Sequence, residues 1–173
     1  VMISPNEVID YFNNISKDSL PTVPESYKMA QLIIKAKPSE YEKQRIKKKL
    51  NEIRNRILNG SDFGLMASIY TDEPGGRERQ GDIGFLSRTQ VVPEFGEVAF
   101  KLKPGEISEV IETPFGFHIV EVIEKKGNLI HTRHILKIPE IYESDMRKAK
   151  KRADSISNVI RSGIDFNKLA SDL

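Results

Sequence analysis

Apolar positions along this chain follow one register that occurs twice. Ile46, Leu50, Ile53 and Ile57 step by four, three and four, which puts them on one face of an α-helix. Gly60 then supplies a stop, and Asp62 opens a second helix with a carboxylate placed to accept from unpaired N–H groups. Ahead of the long helix, "MAQLIIKA" reads as a short apolar strand. The same phrase returns without a gap 103 residues later. Ala149, Ala153, Ile156 and Ile160 take the helical stripe, Gly163 the stop and Asp165 the cap, while "TRHILKI" takes the strand. Two unrelated amphipathic helices would not share strand, stripe, stop and cap in one ungapped register.

Only the first copy continues. "GDIGFL" (81–86) reads as a strand and "PEFGEVAFKL" (93–102) as a helix started by Pro93. "EISEVIET" and "FGFHIVEVIE" are alternating runs around Pro114 and Gly116, the pattern of a hairpin. The unit is therefore strand, helices, strand, helix, hairpin. This is an α+β domain with a small, mostly antiparallel four-stranded sheet covered by helices. Before it, "SPNEVIDYFNNI" carries a capping box in Ser4 and Glu7, with Pro5 at the first helical position. "SKDSLPTVPES" follows as a Pro- and Ser-punctuated linker. The expected organisation is a helix and linker from an upstream domain (1–20), one complete domain (26–126) and the start of a second (129–173). The half-copy's helix faces need cover, which predicts packing on the first unit or exchange between chains in a homodimer.

Composition narrows the function classes. The 173 residues are 38% hydrophobic and 30% charged with net charge +2, a balance that gives no reason to expect nucleic acid or an anionic membrane as partner. Cysteine is absent, which excludes disulfides, thiolate metal sites and a Cys nucleophile. "VMISPNEVIDYF" lacks the charged start and apolar block of a secretion signal, and a chain opening on Val is expected to be a piece of something longer. "HTRH" places His131 and His134 three apart on a strand, hence on opposite faces, so no metal is expected there. The glycines of "GGRERQGDIG" run into a strand with no following G-K-[ST], so they are no phosphate cradle.

His118 lies in "TPFGFHIVEV", near the middle of a strand that should be central. A lone His there is usually a satisfied core residue, but this one sits among segments that border a shallow cleft. Read together, "GDIG", "QVVPEF", "KPGEIS" and "FGFHI" occur in an order and spacing that resembles the parvulin family of peptidyl-prolyl isomerases, over roughly residues 26–126. Tandem units after a helical segment resemble the SurA-type periplasmic chaperones, which handle outer-membrane proteins.

The resemblance implies an activity that needs no covalent step and no cofactor: rotation about X–Pro bonds in unfolded or extended polypeptides. It implies a substrate cup of Ile83, Val91, Phe95 and Phe117, and a polar ring of Gln31, Glu73, Thr113 and His118. Two positions depart from the pattern. Gln31 stands where the family places a His on its opening strand, and Glu73 where it places Cys or Asp. His134 restores the family's His, but in the half-copy, which is expected not to act. Gln31 motivates a second reading, a weakly active or inactive domain that grips peptides without turnover. "KAKPSEYEKQ" is short and holds only Lys35, Lys37 and Lys43, so no preference for phosphorylated substrates is expected.

Overall fold

In the computed structural model, residues 3–16 and 26–171 are described. The chain divides into two units, Val1–Ile33 and Ile34–Leu173. In the first, helix α1 (Pro5–Asn14) starts as its sequence predicts. The Ser4 hydroxyl accepts from Glu7 N–H at 3.3 Å, and the Glu7 carboxylate accepts from Ser4 N–H at 2.7 Å. No residue of α1 is buried. The linker expected in "SKDSLPTVPES" falls almost wholly outside the described residues.

The second unit holds α2 (Glu40–Leu58), α3 (Phe63–Tyr70), β1 (Asp82–Leu86), a 3-10 turn (Arg88–Gln90), α4 (Pro93–Ala99), β2 (Ile111–Thr113), β3 (Gly116–Lys126), β4 (Leu129–Lys137), α5 (Glu143–Arg161) and α6 (Phe166–Ser171). The four strands pair antiparallel throughout, in the order β1-β4-β3-β2. The long helices confirm the repeat, since both ends of α5 lie 103 residues beyond those of α2. Gly60 and Gly163 close them at positive φ, +101° and +98°. Asp62 and Asp165 accept from the N–H groups of Leu65 and Lys168 at 2.7 and 2.8 Å.

Alternation along β3 and β4 gives the sheet two apolar faces. On one, Phe117, Ile119 and Ile135 pack against the α2 stripe of Ile46, Leu50, Ile53 and Ile57 and against Phe63 and Ala67 of α3. On the other, Ile111, Val120 and Ile130 pack under Phe95 and Ala99 of α4. The "KPGEIS" stretch locks the sheet edge from inside. Ser108 is buried, its hydroxyl accepting from Val120 N–H at 2.9 Å while its carbonyl accepts from the Arg54 side chain at 2.8 Å.

One expectation fails. "MAQLIIKA" forms no strand; residues 26–39 carry no regular secondary structure. The second inner strand is instead β4, from the repeat's second copy, joined to β3 by the two residues Gly127 and Asn128. Gly127 has φ +58°, the geometry that a two-residue hairpin needs at its first turn position. The stripe of α5, by contrast, is only half-buried at Ala149, Ala153, Ile156 and Ile160.

Candidate functional site

β3 and β4 bring two imidazoles together on the α4 side of the sheet. His118 and His134 lie on facing strands, each opposite an apolar residue, Leu136 and Val120 respectively. Their rings stand 5.3 Å apart with Nδ1 to Nδ1 at 3.3 Å. At the far ends, Thr113 Oγ1 lies 2.8 Å from His118 Nε2, and the Glu73 carboxylate lies 3.1 Å from His134 Nε2. Arg79 pairs with the other oxygen of Glu73 at 3.4 Å.

The chain of hydrogen bonds Thr113–His118–His134–Glu73 has a direction. A carboxylate only accepts, so His134 donates through Nε2–H to Glu73; with a neutral His134 ring, its Nδ1 accepts from His118 Nδ1–H. His118 Nε2 is then an acceptor, and the Thr113 hydroxyl donates to it. Every polar atom in the chain then has a partner.

Above the pair lies a cleft of ≈600 Å³. Ile83 and Leu86 from β1, Val91 and Val92 ahead of α4, Phe95 from α4 and Phe115 from the β2–β3 turn supply its apolar wall. Phe95 presents to both rings nearly at right angles, with centroids at 5.9 Å from His118 and 6.2 Å from His134. α4 is aimed there by Pro93 at its start, and the preceding turn is pinned by Ser87 N–H donating to the Gln90 side chain at 2.8 Å. The cleft is apolar, concave and floored by a few convergent polar groups, which is the form of a ligand site.

The sequence profile of the PPIC-type PPIase domain matches residues 14–126. The chain belongs to the parvulin family of peptidyl-prolyl isomerases. Among relatives, "Chaperone SurA" of Hahella chejuensis is 30% identical over 98% of this chain and 40% of its own length. "Foldase protein PrsA 3" of Bacillus cereus is 38% identical over 46% of this chain and 28% of its own. A solved structure, the peptidylprolyl isomerase PrsA from Bacillus cereus, is 28% identical, covers 61% of this chain and 37% of that one, and has a TM-score of 0.45. The chain spans less than half the length of these curated relatives.

The parvulin site residues read from sequence are distributed unevenly. Ile83, Val91, Phe95, Thr113, His118 and Glu73 come together around the cleft. Gln31 does not join them: it is exposed in the unstructured stretch 26–33 and belongs to no strand of the sheet. The position expected for it is held by His134, which therefore belongs to this site. Phe117 is corrected too. At 1% exposure it faces the α2 core, because a strand sends neighbours to opposite faces and His118 takes the cleft side. Phe115, 64% exposed in the turn, is the phenyl that borders the cleft. The two histidines of "HTRH" have different partners. His131 bonds the Asp82 carboxylate at 2.9 and 3.0 Å, whereas His134 turns to Glu73.

Burial pushes the His118 imidazole down to about 4, with the neighbouring His134 adding to the effect. A folded-state value below the ordinary 6.5 means that unfolded chains take up the proton first. The stability from neutral burial is full above pH 6.5 and is lost as pH falls toward 4. Between pH 7 and pH 5 this amounts to about 2 kcal/mol. The unfolding free energy from urea titrations is expected to fall by that amount from pH 7 to pH 5 in the wild type and by much less in His118→Phe. An equal fall in both would remove His118 as the cause.

Proposed function

We propose that this chain catalyses cis/trans isomerisation of X–Pro bonds in extended segments of unfolded proteins, as a domain of a SurA- or PrsA-type folding chaperone. The observation that supports it most is the hydrogen-bonded His118–His134 pair under the apolar cleft, oriented at both ends by Thr113 and Glu73.

The barrier to X–Pro rotation, about 18–20 kcal/mol, comes from amide conjugation, and no bond need be made or broken to lower it. At the transition state the amide is twisted and its carbonyl carries less charge than the planar form. An apolar cup that strips water from the planar amide therefore favours the twisted one. Ile83, Val91, Phe95 and Phe115 surround the ring, while His118, kept neutral by burial, offers polar contact without the field of a full charge. Keeping His118 neutral matches that demand.

With His134 in the site, Gln31 is no ground for an inactive domain. Action outside the cytoplasm, in the periplasm, on outer-membrane proteins belongs to the same reading and rests on the SurA-type likeness. The domain that carries this reading takes in β4 (Leu129–Lys137), so the boundary expected after residue 126 moves past that strand.

NMR exchange spectroscopy of a short X–Pro peptide tests the activity. Wild-type protein is expected to accelerate exchange, and His118→Ala to reduce the acceleration at least about tenfold, a loss of roughly 1.4 kcal/mol. Wild type and variant that are equally inert, with the fold intact, would overturn the reading.

A further inference from the structure

The repeat gives this chain two segments for one place in the sheet. Position for position, residues 28–34 stand 103 residues before residues 131–137, so Gln31 corresponds to His134, Leu32 to Ile135 and Ile33 to Leu136. The two segments are followed after the same spacing by equal helices, α2 and α5. One sits in the slot between β1 and β3. The other carries Leu32, Ile33 and Ile34 in a run without regular structure, with Met29 89% and Ile33 66% exposed. An apolar segment of this kind has the composition of a strand but no place in a sheet.

We propose that the inner slot exchanges between β4 and residues 28–34 of the same chain, so that the site alternates between a His134 form and a Gln31 form. The fit of the present occupant is incomplete. Thr132 Oγ1 is buried and has no hydrogen-bond partner, a costly state for a hydroxyl. The corresponding residue is Met29, which would leave no orphan there. In return β4 brings Arg133 to Glu121, His134 to Glu73 and Lys137 to Asp72, and the rival offers only Ala30, Gln31 and Ile34 at those places. Each segment thus wins at some positions and loses at others.

The exits also coincide. Ala36, Lys37 and Pro38, entering α2, line the same groove as Ile138, Pro139 and Ile141, leaving β4. A segment running 28–34 through the slot would reach α2 along the course that β4 now takes toward α5.

The absence of cysteine makes the test direct. Glu121 faces Arg133 across the β3–β4 pair, and Arg133 corresponds to Ala30. In the full chain, Glu121→Cys with Arg133→Cys is expected to cross-link within one molecule under mild oxidation, which also reports that the sheet has folded. Glu121→Cys with Ala30→Cys is expected to cross-link as well, more slowly. Glu121→Cys with Met29→Cys is expected to lag it at least about tenfold, because Met29 would point to the opposite face. Absence of the Ala30 cross-link, equal rates at positions 29 and 30, or cross-links only between chains would each overturn exchange.

The functional consequence rests on the proposed isomerase reading. Chains locked through Ala30 should turn over X–Pro peptides at least about tenfold more slowly than chains locked through Arg133. If neither form turns over, the isomerase reading fails while the cross-link result stands on its own.

Discussion

Phe95→Ala is expected to lower kcat/KM for X–Pro exchange roughly a hundredfold, about 2.7 kcal/mol of transition-state contact. Phe95 presents its ring nearly at right angles to both histidine rings and also belongs to the core under α4. Removing the phenyl opens the cup to water on the side where the proline ring would sit, and unbraces both imidazoles. The same truncation leaves a cavity against Ala99, Ile111, Val120 and Ile130, so stability should drop by about 3–5 kcal/mol. Phe95→Leu separates the two effects. It refills most of the cavity and should recover most of the stability, while leaving the edge contacts to the rings unmade. Exchange spectroscopy and urea denaturation on both variants give the comparison. A folded Phe95→Ala protein with unchanged kcat/KM would place the proline elsewhere.

The second large effect is expected at Gly81, where β4 and the loop before β1 meet. His134 N–H donates to Gly81 C=O at 2.8 Å, and a Cβ on Gly81 would lie 2.4 Å from the His134 carbonyl oxygen. Gly81 also has φ +78°, which L side chains rarely adopt. Gly81→Ala therefore adds a left-handed backbone penalty of about 1–2 kcal/mol to a clash that only a shift of β4 can relieve. The expected total is about 3 kcal/mol or more, read as a lower urea midpoint. The shift should also separate the imidazoles, which the histidine ring nitrogen resonances would report. A variant as stable as wild type, with those resonances unmoved, would mean that the β1–β4 contact is looser than the geometry shows.

What could be read from the sequence follows the range of the interaction. Helices α2 and α5 were legible because their stripe, stop and cap are local, and each signal sits within a few turns of the next. So was the hairpin at Pro114 and Gly116. The occupant of the inner slot was not legible, because pairing joins distant residues and two segments carry nearly the same apolar pattern. The Gly-Asn pair at 127–128 was the available clue. A two-residue turn directly after β3 obliges the next strand to lie beside it, and that places His134 opposite Val120. Phe117 was a different miss, of parity rather than range. It is adjacent to His118 on one strand, and adjacent residues cannot both face a cleft. Glu73 was found only through a family position, since a loop carboxylate bears no periodicity.

An inner strand that comes last in the sheet's chain order sets the sequence of assembly. β1, β2 and β3 all precede β4 in the chain, yet β1 has no strand neighbour except β4. During synthesis, β1 and one side of β3 have only residues 28–34 to fill the slot until β4 emerges, and Phe117 and Ile119 lack part of their final cover. Segments in that condition invite pairing with other chains. The short Gly127–Asn128 turn limits the delay, because a hairpin closes in about 1–10 μs once its second strand exists. Entry of β4 into the sheet and assembly of the histidine pair are then one event, so partly made chains carry a core but no histidine pair.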